Sequence, residues 1–236
     1  MKRISPERTK KIAFIAVMVA LTIVFSFVPI SFGPVTLALM ILPLLITALC
    51  QDFLTTLAVG GFLGLINYLA WFTTKAASPV AAVFQNPLVC ILPRIMIGVV
   101  SWGFYNGVKF ILNKSRRPLS PAATITLDTA SGIIATALGV LTNTGLVSAF
   151  TLLFFSGKTL SSGTAIDVEF ILAWFGLNFV IEIVAFSLIV PPISAALKKA
   201  RLTGGRTASY IHKSVEKNAS PSEEKIAHSE QDGGID

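Results

Sequence analysis

Long apolar runs, separated by short polar or Pro- and Gly-containing stretches, make up most of the chain before residue 198. Such runs are typical of membrane-spanning helices, which need about 20 mainly apolar residues to cross the hydrocarbon layer. The pattern predicts six spans, at residues 12–28, 35–50, 53–71, 86–111, 130–155 and 170–197. The second span is short, and the turns before residue 130 are expected to lie at the interface. We therefore predict an all-α integral membrane protein, a bundle of six transmembrane helices.

The distribution of charge sets the expected topology. Only 13% of residues are charged, against about 25% in soluble proteins. Lys and Arg are concentrated before residue 12, at 114–117 and at 198–206, which places both termini in the cytoplasm by the positive-inside rule. We predict a basic N-terminus (1–11), a membrane domain (12–197) and a polar, disordered tail (198–236). The net charge of +7 thus reports topology and does not indicate nucleic-acid binding.

One full positive charge, Arg94, lies within the fourth apolar segment. Arginine stays protonated in proteins, and a charge at the bilayer centre costs roughly 3 kcal/mol or more. A carboxylate, a water-filled cavity or a ligand must therefore compensate it. Glu182 is the only acidic residue that the predicted spans place deep enough to do so. Both a structural Arg94–Glu182 pair and a ligand-binding Arg94 remain open at this point.

Further polar and aromatic residues are predicted at the same level, in the outer halves of the spans. Asn178 and Glu182 are four residues apart and so share one helix face. A single Asn can instead join two helices, and a single Trp often lies at the membrane interface. Their convergence nevertheless favours a binding site. The candidate binding residues are Phe32, Asn67, Trp71, Gln85, Asn86, Arg94, Asn143, Trp174, Asn178 and Glu182.

The sequence lacks the motifs of ATPases and membrane hydrolases. No GxxxxGK[ST] phosphate loop occurs. The only histidines, His212 and His228, lie in the tail, which excludes an intramembrane HExxH metalloprotease, and no Gly-x-Ser-x-Gly nucleophile is present. Cys50 and Cys90 are expected near opposite membrane faces and hence unpaired. We expect a protein that binds its substrate without transforming it, with no metal or cofactor of its own.

Several motifs together resemble the substrate-binding S components of energy-coupling factor (ECF) vitamin transporters. These motifs are the loop from Pro29 to Pro34, Asn86-Pro87-Leu88-Val89 with Leu92-Pro93-Arg94, Leu141-Thr142-Asn143-Thr144, and Ala16 with Ala20 in the first span. The resemblance covers the whole membrane part and is greatest to the branch associated with pantothenate. It implies that Ala16 and Ala20 dock on a transmembrane coupling subunit.

The resemblance also implies a location and a function. The protein would lie in a bacterial cell membrane and capture a small vitamin from outside, while two ATPase partners hydrolyse ATP. With pantothenate as ligand, Arg94 would bind the carboxylate, and Asn143 and Asn178 the amide and hydroxyls. Trp71, Trp174 and Phe32 would cover the gem-dimethyl group. Hydroxymethylpyrimidine and folate remain alternative ligands. A self-sufficient secondary transporter, a membrane enzyme or a scaffold remain alternative functions.

Overall fold

The computed structural model describes residues 6–27, 30–32, 35–114, 121–160 and 162–200, so the predicted tail falls almost entirely outside it. Within these ranges the regular secondary structure is helical apart from one short hairpin and an isolated bridge. The helices are α1 (Pro6–Phe27), α2 (Leu42–Cys50), α3 (Phe53–Ala70), α4 (Ala81–Phe84), α5 (Pro87–Lys114), α6 (Pro121–Phe155) and α7 (Val168–Lys199).

Five of the described helices, α1, α3, α5, α6 and α7, are long and apolar enough to cross a membrane. They confirm a long apolar helix at the first, third, fourth, fifth and sixth predicted spans. The ends differ by at most three residues, except that α1 begins six residues and α6 nine residues earlier than predicted. Helix α6 continues without a break from Pro121 and has 35 residues, about 50 Å at 1.5 Å per residue. Its first turns therefore extend beyond a hydrocarbon layer of about 30 Å.

The second predicted span was wrong at its start. Val35–Leu37 form strand β2, which pairs antiparallel with β1 (Ile30–Phe32), so that Ile30 faces Leu37 across the hairpin. A short 3-10 helix (Leu39–Ile41) leads from β2 into α2. The β-branched residues of Val35-Thr36 favour extended backbone, and the prediction of an all-α fold did not anticipate this hairpin.

Helix α2 forms the centre of the bundle. Its residues from Pro43 to Cys50 are all buried, and it packs against α1, α3, α5 and α7. A helix that is apolar on every side is stable either in a protein core or in lipid, and the burial of α2 by the surrounding helices assigns it to the core. The second predicted span is thus a short core helix and does not face the lipid.

Glycines bring α3 unusually close to α5. A Cβ atom added at Gly64 would lie 3.1 Å from the Ile91 Cα atom, and one added at Gly60 would lie 3.2 Å from the Arg94 carbonyl oxygen. Gly60 and Gly64 form a small-xxx-small pattern, which in α3 therefore serves packing within the protein. This contact holds the last turns of α3 against the segment of α5 that carries Arg94.

Contacts along α6 set the level of the remaining polar groups. A Cβ atom at Gly139 would collide with the Ser101 hydroxyl of α5, and one at Gly132 would lie 3.4 Å from the Pro191 Cβ atom of α7. Both helix pairs run antiparallel. Counting from these contacts places Asn143 at the level of Arg94 on α5 and within about one turn of Glu182 on α7.

We name the two ends of the bundle after one residue each. At the Trp71 end, α3 and α6 finish while α5 and α7 begin. At the Asp128 end, α2 finishes, α3 begins, and Lys11 of α1 forms an ion pair with Asp52 before α3. Partial burial raises the pKa of the Asp52 carboxyl, but hydrogen bonds from Lys11 and Thr55 leave that pKa below its ordinary value.

Candidate functional site

Arg94 is buried in the bundle, with 6% of its surface exposed. Its side chain extends toward the N-terminus of α5, as helical side chains do, where Nη1 donates a hydrogen bond to the Val89 carbonyl at 3.3 Å. The guanidinium carbon lies 5.8 Å from the centroid of the Phe84 ring. Nε has no hydrogen-bond partner among the described residues. The charge is therefore only partly solvated by the protein.

Glu182 does not form an ion pair with Arg94. Each ion pair that joins described residues involves other groups, so the Arg94 nitrogens and the Glu182 oxygens are more than 4.0 Å apart. Glu182 is buried as well, and its Oε1 accepts a hydrogen bond of 2.8 Å from the backbone N–H of Ala38. One side-chain oxygen of Glu182 thus holds the segment that leads from the hairpin into α2.

Two aromatic rings stack beside Arg94. The Trp71 and Phe84 rings are almost parallel, at 8°, with centroids 4.5 Å apart. The Lys75 Nζ atom lies 5.3 Å from the Trp71 centroid, within the range of cation–π attraction. Trp71 Nε1 is buried and lacks a hydrogen-bond partner among the described residues. The stack therefore has a cation near each ring and one unused donor.

Asn67 connects this aromatic pair to α5. The residue is completely buried. Its Nδ2 contacts the Cys90 Sγ atom at 3.1 Å, and its Oδ1 accepts a hydrogen bond of 3.3 Å from Lys75 Nζ. Burial, and next the charge of Arg94, hold the pKa of Lys75 below the ordinary lysine value. We call these residues the Arg94 cluster: Asn67, Trp71, Lys75, Phe84, Cys90 and Arg94.

Asn143 reaches the same level from α6. It is 8% exposed, and its Oδ1 has no hydrogen-bond partner in the described part of the chain. The hydroxyl of Thr142, by contrast, donates to the Leu138 carbonyl at 2.7 Å. Unsatisfied buried polar groups cost about 1–3 kcal/mol each. The unsatisfied atoms of Trp71, Arg94 and Asn143 comprise two donors and one acceptor, which a ligand with both kinds of polar group can satisfy.

Other predicted site residues have local roles. Gln85 Nε2 donates to the Trp71 carbonyl at 3.1 Å, and Asn86 Oδ1 accepts from the Leu88 N–H at 3.0 Å at the start of α5. Asn178 is half-buried one turn before Glu182. Phe32 and Trp174 belong to β1 and α7, but their side chains lie outside the described residues. The structure thus links Asn67 to Trp71 through Lys75, and Trp71 to Arg94 through Phe84. The other predicted site residues that the structure describes lie outside this chain of contacts.

A groove of about 360 Å³ lies at the Trp71 end, and none of its lining residues belongs to the Arg94 cluster. Ala76, Ser78 and Gln85 line one side, and Phe155, Lys158 and Ile166 line the other. Below it, Phe84 belongs to a buried apolar cluster that includes Leu160 and Ile166. The loop between α6 and α7 thus covers the side of the bundle where Arg94 contacts Phe84.

Sequence reasoning missed Lys75, Phe84 and Cys90. Lys75 lies between two predicted spans and is absent from the predicted binding residues, although it follows Trp71 by four residues and Asn67 by eight. These intervals place side chains on one face of a helix or of a helical turn. The predicted docking residues, Ala16 and Ala20, are both exposed on α1. Only 22% of the apolar 18-residue stretch of α1 is buried, against 44% for α3. Among the five long apolar helices described, α1 therefore has the smallest buried fraction.

Comparison with known proteins gives a family and a fold. Residues 10–194 match the family model described as ECF transporter, substrate-specific component. The structure is similar to that of ThiT from Listeria monocytogenes, with a TM-score of 0.56 and 18% identity over 81% of this chain and 97% of that one. At this identity the likeness concerns the fold alone. No curated protein matches the chain, and neither comparison supports the pantothenate branch.

Proposed function

Because the chain belongs to the substrate-specific components of ECF transporters, we propose that its Arg94 cluster captures a small vitamin that carries a carboxylate. Pantothenate is the ligand we propose first. The alternatives are folate, which is also a carboxylate, and hydroxymethylpyrimidine, which is not. The protein binds this ligand unchanged and holds no cofactor.

One observation carries the proposal: Arg94 is buried and has no carboxylate within 4.0 Å among the described residues. Lys75 adds a second positive charge nearby, and Glu182 adds one negative charge that already accepts the Ala38 N–H. A single ligand carboxylate would bring this region to neutrality. Thiamine, a cation, would increase the excess of positive charge.

The surrounding groups suit the rest of pantothenate. The guanidinium presents donors in a planar fork that matches a carboxylate. The unsatisfied Asn143 side chain and the unused Trp71 Nε1 can address the amide and the hydroxyls. The Trp71 and Phe84 rings offer an apolar wall for the gem-dimethyl group.

We place the Trp71 end outside the cell and both termini in the cytoplasm, following the basic segments of the sequence. The protein then presents its ligand site outward in the membrane of a bacterial cell. A transmembrane coupling subunit docks on Ala16 and Ala20 of α1, and two ATPase subunits supply the energy. Ala20→Trp should abolish uptake by the full complex without weakening vitamin binding. Leu188→Trp, at a 68% exposed position of α7, is the control and should leave both intact.

The direct test is binding to the purified protein without partners. We expect tritiated pantothenate to bind with a submicromolar Kd, and unlabelled pantothenate but not thiamine to displace it. Absence of binding by any B vitamin at micromolar concentration would overturn the proposal. Liposomes that contain this chain alone should take up no pantothenate. Uptake by such liposomes would instead establish a self-sufficient transporter.

A further inference from the structure

Lys75 points inward from a loop where its charge could have reached water. Long basic side chains near helix ends usually extend their charged group toward the aqueous interface. Lys75 is instead half-buried, and its Nζ atom lies against the Trp71 ring while donating to the buried Asn67 amide. Asn67 in turn contacts Cys90, one turn before Arg94 on α5. Two cations therefore converge on one small region.

This convergence is unfavourable in the protein by itself. Like charges in a region of low dielectric repel strongly, and the Arg94 charge is felt at Lys75, where it helps to lower the lysine pKa. Neither cation has a carboxylate within 4.0 Å in the part of the chain that the structure describes. The neutral partners that Lys75 does have, an amide oxygen and an indole ring, leave its charge uncompensated.

We propose that Lys75 is a specificity-determining residue, which with Arg94 forms a two-cation clamp for the anionic group of the ligand. This inference rests on the proposed function and extends it by naming a second anion-binding group and its consequence for selectivity. The ligand carboxylate approaches between the two cations, and Asn67 and Trp71 hold Lys75 in place. The clamp then selects carboxylate ligands over neutral or cationic molecules of the same shape.

The test compares each acid with a neutral counterpart. Pantothenate is paired with pantothenol, which has an alcohol in place of the carboxylate, and nicotinate with nicotinamide. Kd values are measured for the wild type, Lys75→Met, Lys75→Arg and Lys158→Met. Lys158 provides the matched control because it is an exposed lysine at the same end, 4.9 Å from the Phe155 ring centroid and outside the cluster.

We expect the wild type to prefer the acid of whichever pair it binds. Lys75→Met should reduce this preference at least tenfold by weakening the acid and leaving the neutral compound unchanged. Lys75→Arg should retain most of the preference, and Lys158→Met should retain all of it. Binding of nicotinate in place of pantothenate would refute the proposed substrate yet still test the clamp.

Two results would overturn the clamp itself. One is an unchanged acid-to-neutral ratio in Lys75→Met, or an equal loss for both compounds, which would make Lys75 a packing residue. The other is a wild type that prefers the neutral member of a pair or binds thiamine. Thermal unfolding of each variant in detergent, without ligand, shows that the compared proteins are equally folded.

Discussion

The two ends of the bundle treat buried charge in opposite ways. At the Trp71 end, the Arg94 cluster leaves both of its cations without a carboxylate partner among the described residues. At the Asp128 end, two lysines converge with a tyrosine on one carboxylate. We call this second group the Asp128 cluster: Tyr105, Lys109, Asp128 and Lys198.

The polar groups of the Asp128 cluster contact one another within the protein. Asp128 Oδ1 lies 2.9 Å from Lys109 Nζ and accepts a 2.6 Å hydrogen bond from the Tyr105 hydroxyl, and Oδ2 lies 3.7 Å from Lys198 Nζ. Lys198 also donates to the Tyr105 hydroxyl. These contacts join α5, α6 and α7. The difference teaches that cations in contact with a carboxylate fix helices, whereas cations without such a contact are available to a ligand.

The largest expected effect comes from removing the Arg94 charge at the Trp71 end. If the proposed site is right, Arg94→Met should weaken pantothenate binding about a thousandfold, or about 4 kcal/mol, because the ligand carboxylate would lose its principal partner. The unfolding temperature without ligand should stay the same or rise, since the protein leaves this charge unpaired. A rescue of Arg94→Met stability by Glu182→Gln would instead show that the two residues stabilise each other. Isothermal calorimetry and thermal unfolding in detergent provide the two measurements.

Removing the Asp128 charge at the other end should instead reduce stability and leave ligand affinity unchanged. Asp128→Asn leaves Lys109 and Lys198 without their shared carboxylate. Breaking one side of a fully buried ion pair costs about 3–5 kcal/mol, and the cost here should be smaller because the Asp128 and Lys109 side chains are each 24% exposed. We expect a clear loss of thermal stability and an unchanged Kd for pantothenate where the protein is folded. Adding Lys198→Met should recover part of the loss. Equal stability of Asp128→Asn and the wild type would contradict the comparison.

Widening the helix contact that supports the Arg94 cluster should affect both properties. Gly64→Leu would press a side chain into the Ile91 backbone, and overpacking of this kind costs about 1–3 kcal/mol. Because α3 also carries Asn67 and Trp71, affinity should fall together with stability. Gly61→Leu is the control, since a Cβ atom there meets nothing within 4 Å. Similar losses in the two variants would disprove a specific role for Gly64.

Replacing Asn143 should reduce ligand affinity without reducing stability, and its effect should be smaller than those above. Asn143→Leu removes an oxygen that has no partner in the described residues, so stability should be unchanged or slightly higher. Affinity for pantothenate should fall about tenfold. Asn106→Leu is the matched control. The Asn106 Nδ2 donates to the Trp102 carbonyl on the same helix at 2.9 Å, away from the Arg94 cluster. A destabilised Asn143→Leu protein with normal affinity would assign Asn143 to helix packing.

The smallest effect is a dependence on pH. The pKa of Lys75 is lowered by burial and by Arg94, and a bound carboxylate would raise it again. Affinity should therefore be highest where Lys75 is protonated and fall severalfold as pH rises through the pKa of Lys75 in the free protein, which lies below the ordinary lysine value. Arg94 does not titrate in this range. Repeating the measurement in Cys90→Ser removes the nearby thiol as a second group that could titrate. Lys75→Met should abolish this decrease, and an identical decrease in that variant would exclude Lys75 as its source.

The sequence was sufficient for features that depend on local composition. Five spans are long apolar runs, and Gly60 and Gly64 form a recognisable packing pattern, so both could be predicted. The hairpin was missed because Val35–Leu37 is as apolar as the helix that follows it, and hydropathy does not separate strand from helix over so few residues.

Contacts between distant segments were beyond such reasoning. Tyr105 and Lys198 are 93 residues apart, and nothing in either segment announces that they meet at Asp128. Asn67, Trp71 and Arg94 could be placed near each other because polar groups at membrane depth are rare and share a level. Lys75 was overlooked because a lysine in a loop is ordinarily exposed, and only the structure shows its inward orientation.

The stack of Trp71 on Phe84 gives the protein an optical signal of its own. An indole emits at a wavelength that depends on the charges around it, and Trp71 has Lys75 on its ring and Phe84, the neighbour of Arg94, at 4.5 Å. A carboxylate that neutralises these cations must change the field across that ring. Trp102, whose Nε1 donates to the Gln51 carbonyl at the Asp128 end, is a built-in reference. A change in emission on ligand addition that is lost in Trp71→Phe, which keeps Trp102 and Trp174, can therefore follow the arrival of a carboxylate ligand in real time.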